Sequence, residues 1–146
     1  MATGHHTKDK GDLAVAKVHA DLVERGAAVL LPVTEHAPFD LVAYYEREFY
    51  RVKVKFRTAL NGRVTVEFSS SWADRHGSHH RPMPRDEVDA VAVYCPDTTQ
   101  TYYLNPCRFR TRVNLRLEPA KNGQRLRILP ADAFLSFPPA NGRRWA

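Results

Sequence analysis

Two short apolar segments of the chain carry the residues that could do chemistry. The first places Asp40 between Phe39 and Leu41, and thirteen residues further on the second carries Lys53 and Lys55. A carboxylate can hold a divalent cation, and a nearby lysine can stabilise the charge that builds on a phosphate or, with a lowered pKa, act as a base. The alternative is structural, because a carboxylate flanked by apolar residues needs a partner and either lysine could supply an ion pair.

Alternating apolar residues predict that strands position these groups. We expect a helix over residues 11–26 that ends at Gly26, followed by three or four strands in a meander with the helix on one face. The predicted strands cover residues 27–31, 39–44, 49–58, 63–69, 89–94, 101–104 and 113–117. Residues 69–85 are polar and rich in proline and glycine, so we expect a loop there.

The strand predicted over residues 49–58 has an unusual charge pattern. Side chains alternate between faces, so Arg51, Lys53, Lys55 and Arg57 should share one face. The alternative is a solvated strand face, but like charges at this spacing repel one another unless an anion lies between them. A phosphate backbone is the natural anion for such a face.

Charge is distributed unevenly along the chain. Residues 1–100 carry 13 basic and 14 acidic side chains, whereas residues 101–146 carry nine basic and two acidic ones. Together with a pI near 9.6, this segregation favours a nucleic-acid partner. The chain lacks an apolar signal segment and long apolar runs, so we expect a cytoplasmic protein with no membrane partner.

The length of 146 residues predicts one domain that spans the whole chain. We expect residues 1–9 to be disordered and residues 119–146 to form a basic C-terminal extension. The apolar residues Phe134, Leu135 and Phe137 within that extension could dock onto the domain or support a subunit contact. Cys95 and Cys107 are expected to be reduced, since the cytosol disfavours disulfides.

Several segments, taken together, resemble the PD-(D/E)XK homing endonucleases that are associated with group I introns. The matching segments are KGDLA at residues 10–14, ADL at 20–22, LPV at 31–33, PFDLV at 38–42, FYRVKVK at 49–55, SSWADR at 70–75 and DAVAVY at 89–94. The resemblance implies an α/β (α+β) restriction-endonuclease-like core, with a central mixed β-sheet flanked by helices. It also implies Mg²⁺-dependent, site-specific cleavage of double-stranded DNA by a homodimer or homotetramer.

The resemblance assigns roles to individual residues. Asp40 corresponds to the metal-binding aspartate and Lys55 to the motif lysine. Lys53 stands where the family usually has glutamine or glutamate, and a cation there would repel a metal ion. Val15 stands where the first helix often supplies a glutamate. Asp12, one turn earlier on the same helix, is a candidate substitute, and Glu35, on the loop before Asp40, is another. The alternatives to an active endonuclease are therefore a weak or inactive DNA-binding protein on the same fold and a Holliday junction resolvase.

Further residues are predicted to contact DNA. The set comprises Arg51, Arg57, Trp72, Arg75, His76, His79, His80, Arg81 and Arg85. Those between Trp72 and Arg85 are expected to reach phosphates or a groove, with Arg75 and Arg81 best suited to guanine. The alternatives for this segment are a zinc site built from its histidines, an oligomer contact, or a cover over the site.

Overall fold

The computed structural model describes residues 7–119, 122–123 and 129–140, apart from the side chains of residues 70–72. The elements in chain order are α1 (Thr7–Glu24), β1 (Ala28–Leu30), β2 (Leu41–Tyr45), β3 (Glu48–Phe56), β4 (Arg63–Glu67), β5 (Ser69–Asp74), β6 (Gly77–Pro82), β7 (Ala90–Cys95), β8 (Gln100–Leu104), β9 (Arg112–Arg116) and β10 (Leu129–Pro130). Two 3-10 helices, Pro106–Arg108 and Ala131–Phe134, precede β9 and follow β10.

Helix α1 packs through one apolar stripe, and a glycine ends it. Ala14, Val18 and Leu22 recur every four residues and are fully buried against the sheet. Gly26 has a φ of +93°, and it ends the helix as predicted. The helix begins at Thr7, four residues before the predicted start, so the expectation of disorder is wrong for residues 7–9. Residues 1–6 lie outside the described part of the chain.

The central sheet is mixed and has the strand order β1-β2-β3-β7-β8. Only the β3–β7 pair is parallel; the other neighbours within this sheet are antiparallel. Every residue of β7 is buried, as expected of an apolar strand in the interior of a sheet. The mixed central sheet predicted from the sequence is confirmed, although α1 is the one α-helix among the described residues.

A second sheet, ordered β10-β9-β4, covers the other face of the central sheet. Its inward residues Val64, Val66 and Leu115 pack with Val91 and Val93 of β7 in one core cluster. The expected meander is therefore wrong beyond β3. β4 leaves the central sheet and pairs with β9, while β7 takes the place beside β3.

Residues 69–85 are largely a β-hairpin and not the predicted loop. β5 and β6 pair over six positions around the turn Arg75–His76, in a two-stranded sheet of their own. Their sequence lacks apolar alternation because the described side chains of the ribbon are mostly exposed, so no buried face imposes that pattern.

The apolar residues near the C-terminus pack within the chain. Phe137 is buried, and its ring meets those of Tyr45, Tyr50 and Tyr103 edge-on at 5.1 to 5.7 Å. Phe134 and Leu135 pack against the cluster between the two sheets. Docking onto the domain, one of the two predicted roles, is therefore what the structure shows. No helix among the described residues is long and apolar enough to cross a membrane.

Candidate functional site

Asp40 lies immediately before β2, where the ladder between β2 and β3 ends. Its backbone N–H donates to Val52 O at 2.9 Å and extends the strand pairing by one residue. Its Oδ2 accepts a hydrogen bond from Val54 N at 2.7 Å. The carboxylate therefore takes the place of the carbonyl that a longer β2 would offer to β3, and this fixes the side chain beside the middle of β3.

Lys53 faces the same carboxylate. Its Nζ lies 3.5 Å from Asp40 Oδ2, and both side chains are a little under one-third exposed. The structural alternative raised by the sequence, an ion pair between Asp40 and one of the two lysines, is thus what the structure contains. At this exposure the pair contributes at most about 1 kcal/mol to stability, but it neutralises the carboxylate locally.

Lys55 is only 8% exposed, and its Nζ donates to the carbonyl oxygen of Ser69 at 3.0 Å. The pKa of Lys55 is lowered from 10.5 to about 8, mainly by burial and to a lesser extent by the positive charges of Arg57 and Lys53. The carboxylates of Asp40 and Glu67 oppose these effects more weakly. A lysine with such a pKa is charged at pH 7 but releases its proton readily.

Glu67 is a residue of this site that sequence reasoning missed. It is the last residue of β4, and its negative charge acts on both Lys55 and Arg57. Its Oε1 accepts a hydrogen bond from Arg112 Nη2 at 2.7 Å. The only sequence signal was its outward place in the alternation of β4, which does not reveal that β4 passes near the end of β3.

The residues present do not fit a divalent cation. No group of three or more His, Cys, Asp or Glu side chains suited to a metal ion exists among the described residues. Asp12 and Glu35 are exposed, and Val15 packs against the apolar cluster beneath α1. Asp40 already faces the ammonium group of Lys53, and Glu67 is bound by the guanidinium of Arg112, so both carboxylates near Lys55 have a cationic partner that opposes the binding of a metal ion.

The two predicted arginines, Arg51 within β3 and Arg57 directly after it, have different partners. Arg51 forms a bidentate pair with Asp89, with Nε to Oδ2 at 3.0 Å and Nη2 to Oδ1 at 3.1 Å. This hydrogen bonding raises the pKa of Arg51. Arg57 donates to the carbonyl oxygen of Phe56 at 2.8 Å, and burial lowers its pKa while Glu67 opposes that shift.

The predicted DNA-binding residues of the hairpin segment divide into two groups. Arg75 and His76 form the exposed turn, and His80 and Arg81 are exposed on β6. His79 Nε2 lies 3.0 Å from Asp74 Oδ1. The side chain of Trp72 lies outside the described residues.

Arg85, by contrast, is held inside the fold. Its Nη1 donates to Pro106 O at 2.9 Å and also to Phe109 O, and its guanidinium lies 5.7 Å from the centre of the Phe68 ring. These contacts join the segment after β6 to the segment before β9. The structure therefore gives Arg85 a structural role, and its predicted DNA contact remains untested.

A mixed sheet that holds an aspartate at the start of one strand and a lysine in the next strand is the arrangement of a restriction-endonuclease-like fold. Residues 5–137 match the model of the PD-(D/E)XK endonuclease family, and the chain belongs to that family. Members of this family generally use divalent metal ions. The predicted family resemblance and fold class are confirmed.

Two solved structures are similar to the chain. The bacterial homing endonuclease I-Ssp6803I superposes with a TM-score of 0.69 at 22% identity, over 84% of this chain and 86% of that one. The Holliday junction resolvase Hjc of Archaeoglobus fulgidus gives a TM-score of 0.49 at 16% identity, over 73% of this chain and 84% of that one. No curated protein matches the chain.

Proposed function

We propose that the chain is a cytoplasmic protein that binds double-stranded DNA without needing a divalent cation. The observation that carries this proposal is the ion pair between Asp40 and Lys53, which places an ammonium group beside the carboxylate to which the family resemblance assigns the metal. Lys53 then supplies positive charge for a phosphate at the point where metal-dependent relatives need a metal ligand. The basic surface, with a pI near 9.6, supports the same partner.

The chemistry of the site follows from its charges. Lys55 and Lys53 are both cationic at neutral pH, and the negative charge of Asp40 is offset locally by Lys53. A DNA phosphate that approaches them gains charge-assisted hydrogen bonds. Lys55 is held by Ser69 O beneath the surface, so it acts on a phosphate mainly through its charge.

Fluorescence anisotropy with a labelled duplex tests this proposal. Binding should weaken steeply with salt, because bound phosphates release counterions. It should be at least as strong in EDTA as in Mg²⁺, because Mg²⁺ competes with the protein for the phosphates. A supercoiled plasmid should stay intact with Mg²⁺ or Mn²⁺. Binding that requires a divalent cation, or no binding to any duplex at low salt, would refute the proposal.

A second candidate is the Mg²⁺-dependent, site-specific endonuclease that the family resemblance implies. It is supported by Asp40 immediately before β2 and Lys55 on the neighbouring strand β3, the two residues to which the family resemblance assigns roles. Plasmid cleavage that is lost in both Asp40→Ala and Lys55→Ala would establish it. If the wild type is inactive, Lys53→Gln combined with Val15→Glu should create cleavage in Mg²⁺, provided that these two positions are the defects.

A four-way junction belongs in the same assays as a further substrate. A junction that competes far better than linear duplex of equal length would point to a resolvase, the remaining alternative.

The hairpin of β5 and β6 is the proposed reader of DNA sequence. A two-stranded ribbon fits the major groove, and Arg75 at its turn is exposed. Arg75→Ala should cost roughly 1–3 kcal/mol at a selected site and relax preference at one base pair. Selection from a random duplex library with wild type and with Arg75→Ala measures this, and unchanged preferences in both Arg75→Ala and Arg81→Ala would exclude the hairpin as reader.

A homodimer or homotetramer remains the proposed assembly. Phe134, Leu135 and Phe137 pack within the chain, so they are poor candidates for the interface. Large apolar residues that stay exposed near the edge strand β1 are better candidates, namely Leu30, Leu31 and Val33. Light scattering at micromolar concentration, with and without duplex, tests the assembly, and a monomer under both conditions would exclude it.

A further inference from the structure

The C-terminal end of β3 opens onto a surface cavity of about 540 Å³. Three cationic residues from three separate elements line it. Lys10 comes from α1, Arg57 directly follows β3, and Arg63 is the first residue of β4. Lys10, which is remote in sequence, is thus brought beside Arg57 and Arg63 on one concave surface.

The positive charge in this cavity is poorly compensated. Lys10 Nζ lies 6.0 Å from the centre of the Phe56 ring, and Arg57 donates to a backbone carbonyl. Within the described part of the chain, none of the three cationic side chains is in an ion pair with a carboxylate. Glu67 also lines the cavity, and its negative charge partly offsets the positive charge of Arg57. Its Oε1, however, already accepts a hydrogen bond from Arg112 Nη2 at 2.7 Å.

The outer face of the second sheet adds a like-charge pair at the edge of this cavity. Arg63 lies directly opposite Arg116 in the antiparallel register of β4 and β9. The next pair along the same face, Thr65 and Asn114, is joined by a hydrogen bond of 2.8 Å. Like charges directly opposite one another across strands are destabilising, and an anion between or beside them relieves the repulsion.

We propose that this cavity binds a backbone phosphate of the DNA, through Lys10, Arg57 and Arg63. The inference rests on the proposed function and extends it, since it gives the DNA a path. The strand passes Lys53 and Lys55, continues beyond the end of β3, and reaches the outer face of β4. The partner is a phosphodiester backbone, so the contact carries no sequence preference.

Anisotropy titrations of Lys10→Gln and Arg63→Gln at several salt concentrations test this proposal. Each variant should bind duplex several-fold more weakly, equally for all sequences, and lower the slope of log affinity against log salt by about one unit. Arg47→Gln is the matched control, because Arg47 is an exposed arginine in the turn between β2 and β3, at the other end of β3. Circular dichroism and thermal unfolding should show the three variants folded like the wild type.

The outcomes separate the two proposals. If the wild type binds duplex and the cavity variants match Arg47→Gln in affinity and salt slope, the cavity is not a phosphate site although the proposed function stands. If the wild type binds no duplex, both the proposed function and the cavity proposal fall. A loss confined to Lys10→Gln and Arg63→Gln supports the proposed path.

Discussion

Arg51 lies in the first half of β3 and Arg57 directly follows its last residue, and the two arginines have different surroundings. Arg51 is held by both carboxylate oxygens of Asp89, whose side chain is only 9% exposed. Arg57 has a backbone carbonyl as its hydrogen-bond acceptor and opens onto a cavity with other cations. The difference indicates that Arg51 helps to hold the fold together, whereas Arg57 lines the cavity that is proposed to bind a phosphate.

The largest expected loss of stability concerns Arg51, the arginine with a structural role. Arg51→Ala removes the guanidinium from the largely buried carboxylate of Asp89, which keeps its hydrogen bond from the backbone N–H of residue 51. The variant should lower the free energy of unfolding by about 3 kcal/mol, the lower end of the range for a broken buried pair, because Arg51 is partly exposed. Urea unfolding at pH 7 measures this, with Arg57→Ala as the matched arginine truncation, expected to cost much less. The double variant Arg51→Ala/Asp89→Ala should recover part of the loss. If Arg51→Ala lowers the free energy of unfolding no more than Arg57→Ala does, the two arginines do not differ in structural importance.

The second prediction concerns Lys55, which lies between Arg51 and Arg57 in the sequence. Its pKa in the folded protein, about 8, lies below the ordinary value of 10.5, so the unfolded state binds more protons between these pH values. Below pH 8 the buried charge costs about 3 kcal/mol, and this cost disappears as the pH rises to 10.5. Lys55→Met should therefore be more stable than the wild type at pH 7 by about that amount.

The difference between the two unfolding curves isolates this lysine, since other titrating groups contribute equally to both proteins. The stability advantage of Lys55→Met should shrink steadily from pH 8 to pH 10.5. A constant difference across that window would show that the pKa of Lys55 is ordinary. DNA affinity at pH 7 should fall in the same variant, which makes this a site where binding and stability oppose one another.

Much of the site could be predicted because its residues are close in sequence. Asp40 and Lys53 lie on antiparallel neighbours joined by a short turn, so an apolar pattern alone brings them together. The ion pair between them was one of the interpretations that the sequence left open. The strand that carries the cationic residues and the end of α1 at Gly26 were also predictable, because both depend on residues that are close in sequence.

The rest depended on contacts between distant segments. Asp89 reaches Arg51 only because β7 lies parallel to β3 in one register, and Glu67 reaches the site only because β4 leaves the central sheet. Neither arrangement has a local signature in the sequence. The β5–β6 ribbon was missed for another reason, since a strand without a buried face lacks the alternation that predicts strands.

The smallest expected effect sharpens the comparison at Asp40. Asp40→Asn keeps an oxygen that can accept from Val54 N, but it removes the negative charge beside Lys53. If the site binds phosphate through its lysines, the variant should bind duplex a few-fold more tightly, since an exposed charge of this kind is worth up to about 1 kcal/mol. Asp132→Asn, an equal change of charge at an exposed position in the second 3-10 helix, is the control. A metal-dependent site gives the opposite result, because loss of the Asp40 carboxylate would weaken binding in Mg²⁺ and leave binding in EDTA unchanged. Anisotropy titrations of both variants in the two buffers therefore decide whether Asp40 repels the phosphate or holds a metal ion for it.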